Sequence, residues 1–464
     1  TQSPTGSQAM KQRRPPEPRP KRPEMTGSPQ PALAGEREAC AAALNAGLAL
    51  QQQGRLDQAE ALYKEILRSH PQHFHALQLM ATLAGQRKNS AAAVELFDQA
   101  LRIDPRHALS LYNRAVALQD LKRPAEALES CDRALRIKPD YPQALNQRGI
   151  ALHELKRIDE ALQSFDRALR IKPDHVEALF NRGVALHDLK RLDEALESYD
   201  RALTIKPDHA DALVNRGNAL LELKRPEEAI AALRLAIEHG GDPEQIGYTL
   251  AALGAATVPA AAPKQFVTRH FDRFASTFDQ HLIGTLKYQT PALLCKEISR
   301  LVPAGNLDIL DLGCGTGLLG ALLKPLARKL TGVDLSPNML KMARQRQVYE
   351  ELICGDLTGF LQTQTGNFDL VAAADVFVYI GDLSPVFDGA RQALRAGGLF
   401  GFSVEASDAE DIVLRRTLRY AHSVAYLQQL AASHRFVFEF IEPRTIRQEK
   451  GSDVNGFHAI LRRS

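Results

Sequence analysis

The sequence predicts a multidomain protein in which an all-α array of repeated helix pairs precedes an α/β domain with a mostly parallel sheet. Proline recurs at a spacing of 34 residues, at positions 71, 105, 139, 173 and 207. A fixed period of this length indicates a repeat architecture. Beyond residue 264, apolar runs alternate with amphipathic stretches, which is typical of a parallel sheet with helices on both faces. The 464 residues are enough for both parts.

The N-terminal segment, residues 1–37, is predicted to be a disordered tail. It is rich in proline, serine, glutamine and charge, and it lacks the apolar core of a signal peptide. Its first 35 residues carry six lysines and arginines against two acids, so that they hold a charge of +4 while the whole chain holds +3. The remainder is close to neutral, which argues against a nucleic-acid partner for the folded part.

The overall composition excludes several further classes of protein. Apolar residues make up 44% and charged residues 24% of the chain, as in ordinary globular proteins. No apolar run reaches the roughly 18 residues that a membrane-spanning helix needs. The five cysteines are scattered, without a CxxC pair or a zinc-type cluster with histidine. We therefore expect a cytoplasmic protein with no membrane span and no metal site.

Each repeat has a small residue and, mostly, a large apolar residue at fixed positions. The small residues are Gly47, Ala81, Ala115, Gly149, Gly183 and Gly217. Sixteen residues after them stand Tyr63, Phe97, Cys131, Phe165, Tyr199 and Leu233. Small residues let two helix axes approach, and a bulky residue fills the gap. Each unit therefore predicts two antiparallel helices, and residues 38–241 predict six units stacked into a superhelix with a concave groove.

The array looks like a tetratricopeptide array, a resemblance that rests on the period, the small residues and the terminal proline. In that family the first helix of each unit lines the groove. Its sixth position here holds Asn45, Leu79, Asn113, Gln147, Asn181 and Asn215. An amide offers a donor and an acceptor to a peptide backbone of any sequence, so the five amides predict a groove for a protein or peptide. The alternative is that they are only a helix consensus copied by duplication.

A capping helix and a linker are predicted over residues 242–264, and the α/β domain over residues 265–464. The segment GAATVPAAAPK, residues 254–264, is rich in small residues and proline, as domain boundaries often are. The last two apolar runs predict a closing hairpin with an antiparallel final strand. The seven predicted strands lie near residues 307–312, 329–334, 350–354, 368–374, 397–404, 435–441 and 456–462.

The turn DLGCGTG, residues 311–317, follows the first predicted strand of this domain. Its glycines, Gly313, Gly315 and Gly317, permit a tight turn close to a ligand. The dinucleotide fingerprint is G-x-G-x-x-G, and the third glycine here comes one residue early, which disfavours NAD and FAD. Asp311, Asp334 and Asp356 end the first three strands. Three carboxylates around one pocket would repel a pyrophosphate and would attract a cationic sulfonium amino acid.

The motifs DLGCGTG, GVDLS, GDL and FDLVAAADVFVYI resemble those of Rossmann-like class I S-adenosylmethionine-dependent methyltransferases. The whole chain looks like the bacterial class of predicted methyltransferases that carry tetratricopeptide repeats. The resemblance implies a set of cofactor contacts. Asp311 would neighbour the methionine amino group, Asp334 would bind the ribose hydroxyls, and Asp356 would accept from the adenine amino group. The remaining implied contacts are Gly313, Cys314, Gly315, Thr316 and Gly317 in the turn, Leu335 and Leu357 at the adenine, and Ala374 at the end of the fourth strand.

The stretch FDRFASTFDQHLIGTLKYQTP, residues 271–291, resembles the N-terminal lid of the same family. The resemblance implies that Phe278 and Tyr288 are neighbours of the cofactor. The alternative is an ordinary amphipathic helix that packs on the sheet.

The candidates for a general base are Asp375, Tyr379 and His422. A base is needed only where the methyl acceptor arrives protonated. The function that the resemblance implies is a methyltransferase of class EC 2.1.1.- whose repeats recruit a protein substrate or partner. The alternative is an interaction scaffold with an inactive or regulatory methyltransferase-like domain.

Overall fold

The structure is a computed structural model that describes Thr1 and residues 31–280, 282, 284, 288–302, 305–408, 410–449 and 452–464. Two compact units divide the chain, Thr1–Pro173 and Asp174–Ser464. Residues 2–30 of the predicted tail lie outside the described residues. The first helix begins at Pro31, inside the segment that the sequence predicts to be disordered.

The first unit consists of helices in antiparallel pairs. They are α1 (Pro31–Gln52), α2 (Leu56–Ser69), α3 (Phe74–Gln86), α4 (Ser90–Ile103), α5 (Ala108–Asp120), α6 (Pro124–Ile137), α7 (Pro142–Glu154) and α8 (Ile158–Ile171). In the two pairs of this unit whose small residue is a glycine, that glycine contacts the large residue, as predicted. A Cβ atom added at Gly149 would lie 2.4 Å from the ring of Phe165, which is closer than van der Waals contact.

The second unit begins with two more helix pairs and the predicted capping helix. The helices are α9 (Val176–Asp188), α10 (Leu192–Ile205), α11 (Ala210–Glu222), α12 (Pro226–Glu238) and α13 (Pro243–Ala252). Gly183 approaches Tyr199 as closely as Gly149 approaches Phe165. Asp242 caps α13 by accepting from the backbone N–H groups of Glu244 and Gln245. This cap explains why a new helix begins there.

The rest of the second unit is an α/β domain, which confirms the predicted fold class. Its helices are α14 (Lys264–Phe274), α15 (Phe278–Gln280), α16 (Thr290–Leu301), α17 (Leu318–Leu323), α18 (Pro337–Gln345), α19 (Leu357–Gln362), α20 (Ser384–Ala393) and α21 (Val424–Ser433). Its strands are β1 (Leu307–Leu312), β2 (Ala327–Asp334), β3 (Glu351–Cys354), β4 (Phe368–Ala373), β5 (Leu394–Ala406), β6 (Ile412–Leu414), β7 (Tyr420–His422), β8 (Phe436–Glu449) and β9 (Ser452–Arg463).

The described residues form a sheet of nine strands, so the predicted number of seven is wrong. The two additional strands, β6 and β7, have three residues each, which is too short for a recognisable alternation of apolar and polar residues. They form an antiparallel hairpin, and β7 pairs in parallel with the end of β5. The predicted closing hairpin is confirmed: β9 is antiparallel to both β8 and β5.

The direction in which strands are added to the sheet reverses between β1 and β4. The main path of the sheet runs β3-β2-β1-β4-β5, and the first five strands pair in parallel. The chain first proceeds outward from β1 to β3 and then returns to β4 on the other side of β1. Ligands of such sheets bind beyond the carboxyl ends of the strands at this reversal. In the described part of the chain, no helix is long and apolar enough to cross a membrane.

Candidate functional site

A cavity of about 730 Å³ lies at the carboxyl ends of β1 to β4. This volume is within the range of small-molecule sites, roughly 300–1,000 Å³. Its walls include most of the residues that the sequence predicts to bind a cofactor. They are Phe278, Asp311, Gly313, Cys314, Gly315, Thr316, Asp334, Leu335, Asp356, Leu357 and Ala374. Tyr288, predicted as a neighbour of the cofactor, lines the cavity too.

The glycine turn between β1 and α17 adopts a backbone that side chains disfavour. Gly313, Gly315 and Gly317 have φ angles of 61°, 53° and 88°, in the left-handed region. At Gly313 a Cβ atom would also lie 2.6 Å from the side chain of Val376. Gly317 does not line the cavity; it caps α17, and its backbone faces Tyr349. The left-handed φ angles let the turn bring its backbone, together with the side chains of Cys314 and Thr316, to the cavity wall.

The carboxylate of Asp334 is fixed by the two loops that it joins. Its Oδ2 atom accepts from the N–H of Gly315 and its Oδ1 atom from the N–H of Ser336, each at 2.8 Å. Burial raises the pKa of this carboxyl, although both hydrogen bonds oppose the shift. Because a carboxylate can accept about four hydrogen bonds, Asp334 retains capacity for hydroxyl groups of a ligand in the cavity.

Asp311 is buried at the end of β1, and its partner is a residue that sequence analysis missed. Tyr349 donates its hydroxyl to Asp311 Oδ2 at 2.6 Å. Burial raises the pKa of Asp311 to about 7, while the hydrogen bond from Tyr349 lowers it. Gly320 makes room for the tyrosine, since a Cβ atom there would lie 2.1 Å from its hydroxyl. Asp311 is therefore a carboxyl group that changes its charge near neutral pH, and a nearby cation would favour its ionised form.

Asp356 lies at the opposite end of the cavity and caps α19. Its Oδ2 atom accepts from the N–H of Gly359 at 3.0 Å and lies 3.2 Å from Lys264 Nζ. Leu335 and Leu357 are apolar neighbours in the same wall. This end of the cavity combines one acceptor with two aliphatic side chains, an arrangement that suits a flat heterocycle with an amino group.

The described parts of the predicted lid, α14 and α15, cover the glycine turn. Phe271 and Phe278 line the cavity, and their ring centroids are 5.7 Å apart. Asp272 accepts from the hydroxyl of Ser336. Asp279 accepts from the hydroxyl of Thr316 and pairs with Arg346. Each Phe-Asp pair thus supplies an aromatic wall and a polar attachment, which favours the lid over an ordinary surface helix.

Asp375, predicted as a candidate base, follows β4 and is held in an ion pair. This pairing argues against the prediction. Both of its carboxylate oxygens lie near Arg447 Nη1, at 2.9 and 3.0 Å. Arg447 is 2% exposed and also pairs with Glu405 and Glu449. Asp375 itself has a φ of 59°, and its N–H donates to Ser403 Oγ at 2.8 Å. The ion pair engages both oxygens of this carboxylate, so Asp375 is a poor candidate for a general base.

Tyr379 lines the cavity as predicted, but its phenol is a poor base. Burial raises the pKa of Tyr379, and a hydrogen bond with Arg419 lowers it. Arg419 lines the same wall and pairs with Glu449. Arg419 could not be identified from the sequence, because it lies in the turn between β6 and β7, two strands that were not predicted.

His422, predicted as a candidate base, does not line the cavity. The structure therefore argues against a catalytic role for it. The side chain is fully buried in β7, and its Nε2 atom lies 2.9 Å from the carbonyl oxygen of Gly381. Burial lowers the pKa of this imidazole to about 4. The hydrogen bond at 2.9 Å requires Nε2 to be the donor, so His422 is a neutral packing residue.

His270, on α14, is a cavity residue that sequence analysis missed. Burial lowers the pKa of its imidazole below the ordinary value, and the charges of Arg419 and Arg273 lower it further. A neutral imidazole at a cavity wall is able to accept a proton. His270 directly precedes the predicted lid, residues 271–291, and belongs to no recognisable motif.

The amides predicted to bind a partner differ in their exposure and in their hydrogen bonds within the chain. They are Asn45 in α1, Asn113 in α5, Gln147 in α7, Asn181 in α9 and Asn215 in α11. Gln147 is only 7% exposed. Asn215 donates its Nδ2 to the carbonyl oxygen of Asp211 at 2.8 Å. The peptide groove therefore stays a prediction, in which Gln147 is the least suitable member.

Comparison with known families assigns both parts of the chain. Five profiles described as tetratricopeptide repeats match residues 41–73, 74–107, 107–174, 146–209 and 186–253. A profile described as a methyltransferase domain matches residues 310–402. The chain joins tetratricopeptide repeats to a methyltransferase domain. The matched part of the methyltransferase domain contains the glycine turn and all three carboxylates of the cavity.

Individual relatives agree with this assignment. Malonyl-[acyl-carrier protein] O-methyltransferase of Acetivibrio thermocellus is 32% identical over 145 residues, which cover 30% of this chain and 49% of the relative. Methyltransferase-like protein 27 of Homo sapiens is 36% identical over 142 residues, which cover 30% of this chain and 55% of the relative. The chain thus spans about half the length of these curated relatives.

PilF from Pseudomonas aeruginosa is one of the solved structures to which this chain is similar. It is 22% identical, with a TM-score of 0.41, and the alignment covers 45% of this chain and 95% of that one.

Proposed function

We propose that the chain transfers a methyl group from S-adenosylmethionine to a protein, or to a group carried on a protein, that the repeats recruit. The observation that carries this proposal is the set of Asp311, Asp334 and Asp356 around one cavity above a glycine turn. The alternative of an inactive scaffold is not favoured, because the cavity retains each of these groups.

The cavity residues fit the proposed methyl donor. Asp311 would hold the amino group, and the cation would favour its ionised form. Asp334 would accept from the ribose hydroxyls, and Asp356 from the adenine amino group, with Leu335 and Leu357 against the ring. The bound donor supplies a methyl group already activated by the sulfonium. The chain's own task is to orient the acceptor and to exclude water, and the lid phenylalanines serve the second purpose.

The acceptor would enter beside Tyr379, Arg419 and His270. Where the acceptor is protonated, we assign proton acceptance to His270, because its neutral imidazole lines the cavity while Asp375 is occupied by Arg447. The name of the Acetivibrio relative specifies an oxygen acceptor carried on an acyl-carrier protein. That name supports a protein-borne acceptor here, for which a repeat array is a suitable recruiting surface. The five free thiols suit a cytoplasmic setting.

The test uses the full chain and tritiated S-adenosylmethionine. Calorimetry should detect binding of the methyl donor, and incubation with extract of the source cells should place label on material of protein size. No measurable binding would overturn the enzyme assignment. Binding together with label only on small metabolites would retain the enzyme and overturn recruitment by the repeats.

Binding of S-adenosylmethionine is expected to weaken about eightfold between pH 7.5 and pH 6. Asp311 must be ionised to hold the amino group, and its pKa in the free chain is about 7, so the binding-competent fraction falls as pH falls. Tyr349→Phe removes a hydrogen bond that lowers this pKa, and the loss should then begin at a higher pH. Calorimetry across this range measures both curves. A pH-independent affinity, or no displacement in Tyr349→Phe, would contradict the role of Asp311.

A further inference from the structure

The capping helix α13 packs directly on the methyltransferase domain. Tyr248 of α13 is 1% exposed, and its hydroxyl donates to the carbonyl oxygen of Leu418 at 2.8 Å. Its ring lies 6.1 Å from that of Tyr420 and 5.5 Å from that of Phe266, measured between centroids. We call this group the junction cluster; its buried members are Tyr248, Ala251, Ala252, Ala262, Leu414 and Tyr420.

Two of the residues that Tyr248 contacts, Leu418 and Tyr420, belong to the β6–β7 hairpin, which also carries Arg419. The hairpin turn is closed by the N–H of Leu418 donating to Arg415 O at 2.8 Å and the N–H of Arg415 donating to Arg419 O at 2.9 Å. Leu418 has a left-handed φ of 60°, a conformation that costs a leucine free energy. The hydrogen bond from Tyr248 reaches the carbonyl oxygen of this residue. Arg419 therefore follows immediately after a backbone that α13 helps to hold.

The predicted linker forms a second attachment at the same wall. Tyr420 donates its hydroxyl to the carbonyl oxygen of Pro259 at 2.6 Å. Ala260 accepts from the N–H groups of Gly381 and Asp382 at 2.8 and 2.9 Å, and the N–H of Ala262 donates to Tyr379 O at 2.9 Å. Residues 260–262 are thus hydrogen-bonded to the chain on both sides of Ile380. Ile380 itself lines the cavity.

We propose that Tyr248 is a positioning residue for the methyl-acceptor end of the cavity: through the β6–β7 hairpin it places Arg419 in the cavity wall. The capping helix that follows the repeat array is then a structural component of the acceptor site. The cofactor end does not depend on it, because Asp311 and Asp334 are carried by β1 and β2. The effect on methyl transfer rests on the proposed function; the effect on the hairpin does not.

The test compares Tyr248→Phe with Tyr199→Phe in the full chain. Both variants remove one buried tyrosine hydroxyl from the second unit, but Tyr199 Oη has no hydrogen-bond partner within the residues that the structure describes. Loss of one net hydrogen bond of about 1 kcal/mol corresponds to roughly fivefold. Amide hydrogen exchange of the hairpin should therefore be about fivefold faster in Tyr248→Phe and unchanged in Tyr199→Phe.

Two further readouts separate positioning from general destabilisation. The rate at which phenylglyoxal modifies Arg419, measured by mass spectrometry, should rise severalfold in Tyr248→Phe alone. The affinity for S-adenosylmethionine should stay within about twofold of wild type, while transfer of tritiated methyl to the acceptor falls. Equal hairpin exchange and equal Arg419 modification in wild type and Tyr248→Phe would overturn the proposal. A wild type that binds no methyl donor would overturn the proposed function only, since the exchange result would still decide the role of Tyr248.

Discussion

Replacing Asp334 with alanine is expected to lower the affinity for S-adenosylmethionine by about 100-fold or more. The carboxylate holds Gly315 and Ser336 in place, and in the proposed complex it also accepts from two ribose hydroxyls. A hydrogen bond to a charged group contributes about 1.5–3 kcal/mol. The loss of two such bonds therefore amounts to two decades of affinity or more, at about 1.4 kcal/mol per decade. Calorimetry with the purified full chain measures the effect.

The matched control for this variant is Asp369→Ala. Asp369 lies at the amino end of β4, where it accepts from the N–H of Asp308 at 2.9 Å and pairs with Arg395 at 2.7 Å. It does not line the cavity, so the affinity should stay within about twofold of wild type. Unchanged binding in a folded Asp334→Ala variant, or an equal loss in both variants, would show that the methyl donor binds elsewhere.

Replacing Arg447 with alanine is expected to lower the free energy of unfolding by about 3–5 kcal/mol. The guanidinium is buried and lies between the carboxylates of Asp375, Glu405 and Glu449. Removing one partner of a buried ion pair leaves the other charges desolvated and uncompensated, and losses of this size follow. Urea denaturation of the full chain, monitored by circular dichroism, reports the change.

Arg462→Ala provides the comparison for Arg447→Ala. Arg462 is on the neighbouring strand β9, and it pairs with Glu439 while its side chain remains 38% exposed. An exposed ion pair contributes at most about 1 kcal/mol, so this variant should unfold almost like wild type. A similar loss in the two variants would mean that side-chain packing, rather than the balance of buried charge, explains the effect of Arg447.

The cofactor end of the site could be predicted from the sequence because its residues lie in short motifs. The glycine turn, Asp334 and Asp356 each stand next to a strand end, and a parallel sheet brings strand ends to one edge. The partners of these residues could not be predicted in the same way. Tyr349 is 38 residues from Asp311, and Arg447 is 72 residues from Asp375. No local spacing rule connects groups that only the folded sheet brings together.

The boundary between the two parts was the least predictable feature of the fold. The composition of residues 254–264 suggests a connection between independent domains, whereas Ala260 and Ala262 bond to the segment that lines the cavity. Small residues permit this close backbone approach, so the same composition describes a mobile connection and a tightly packed one. The backbone partners that decide between the two are Tyr379, Gly381 and Asp382, which are too far away in the sequence for a local pattern to indicate them.

The backbone at Asp375 is in the left-handed region. Its φ of 59° lies in a region that aspartate and asparagine occupy far more readily than most other residues. The position therefore selects for a residue that tolerates this conformation, and Arg447 then selects for the negative charge. Both requirements are met without any proton transfer. An aspartate at the end of the fourth strand, taken by itself, reports on chain geometry and charge balance more than on the chemistry of the reaction.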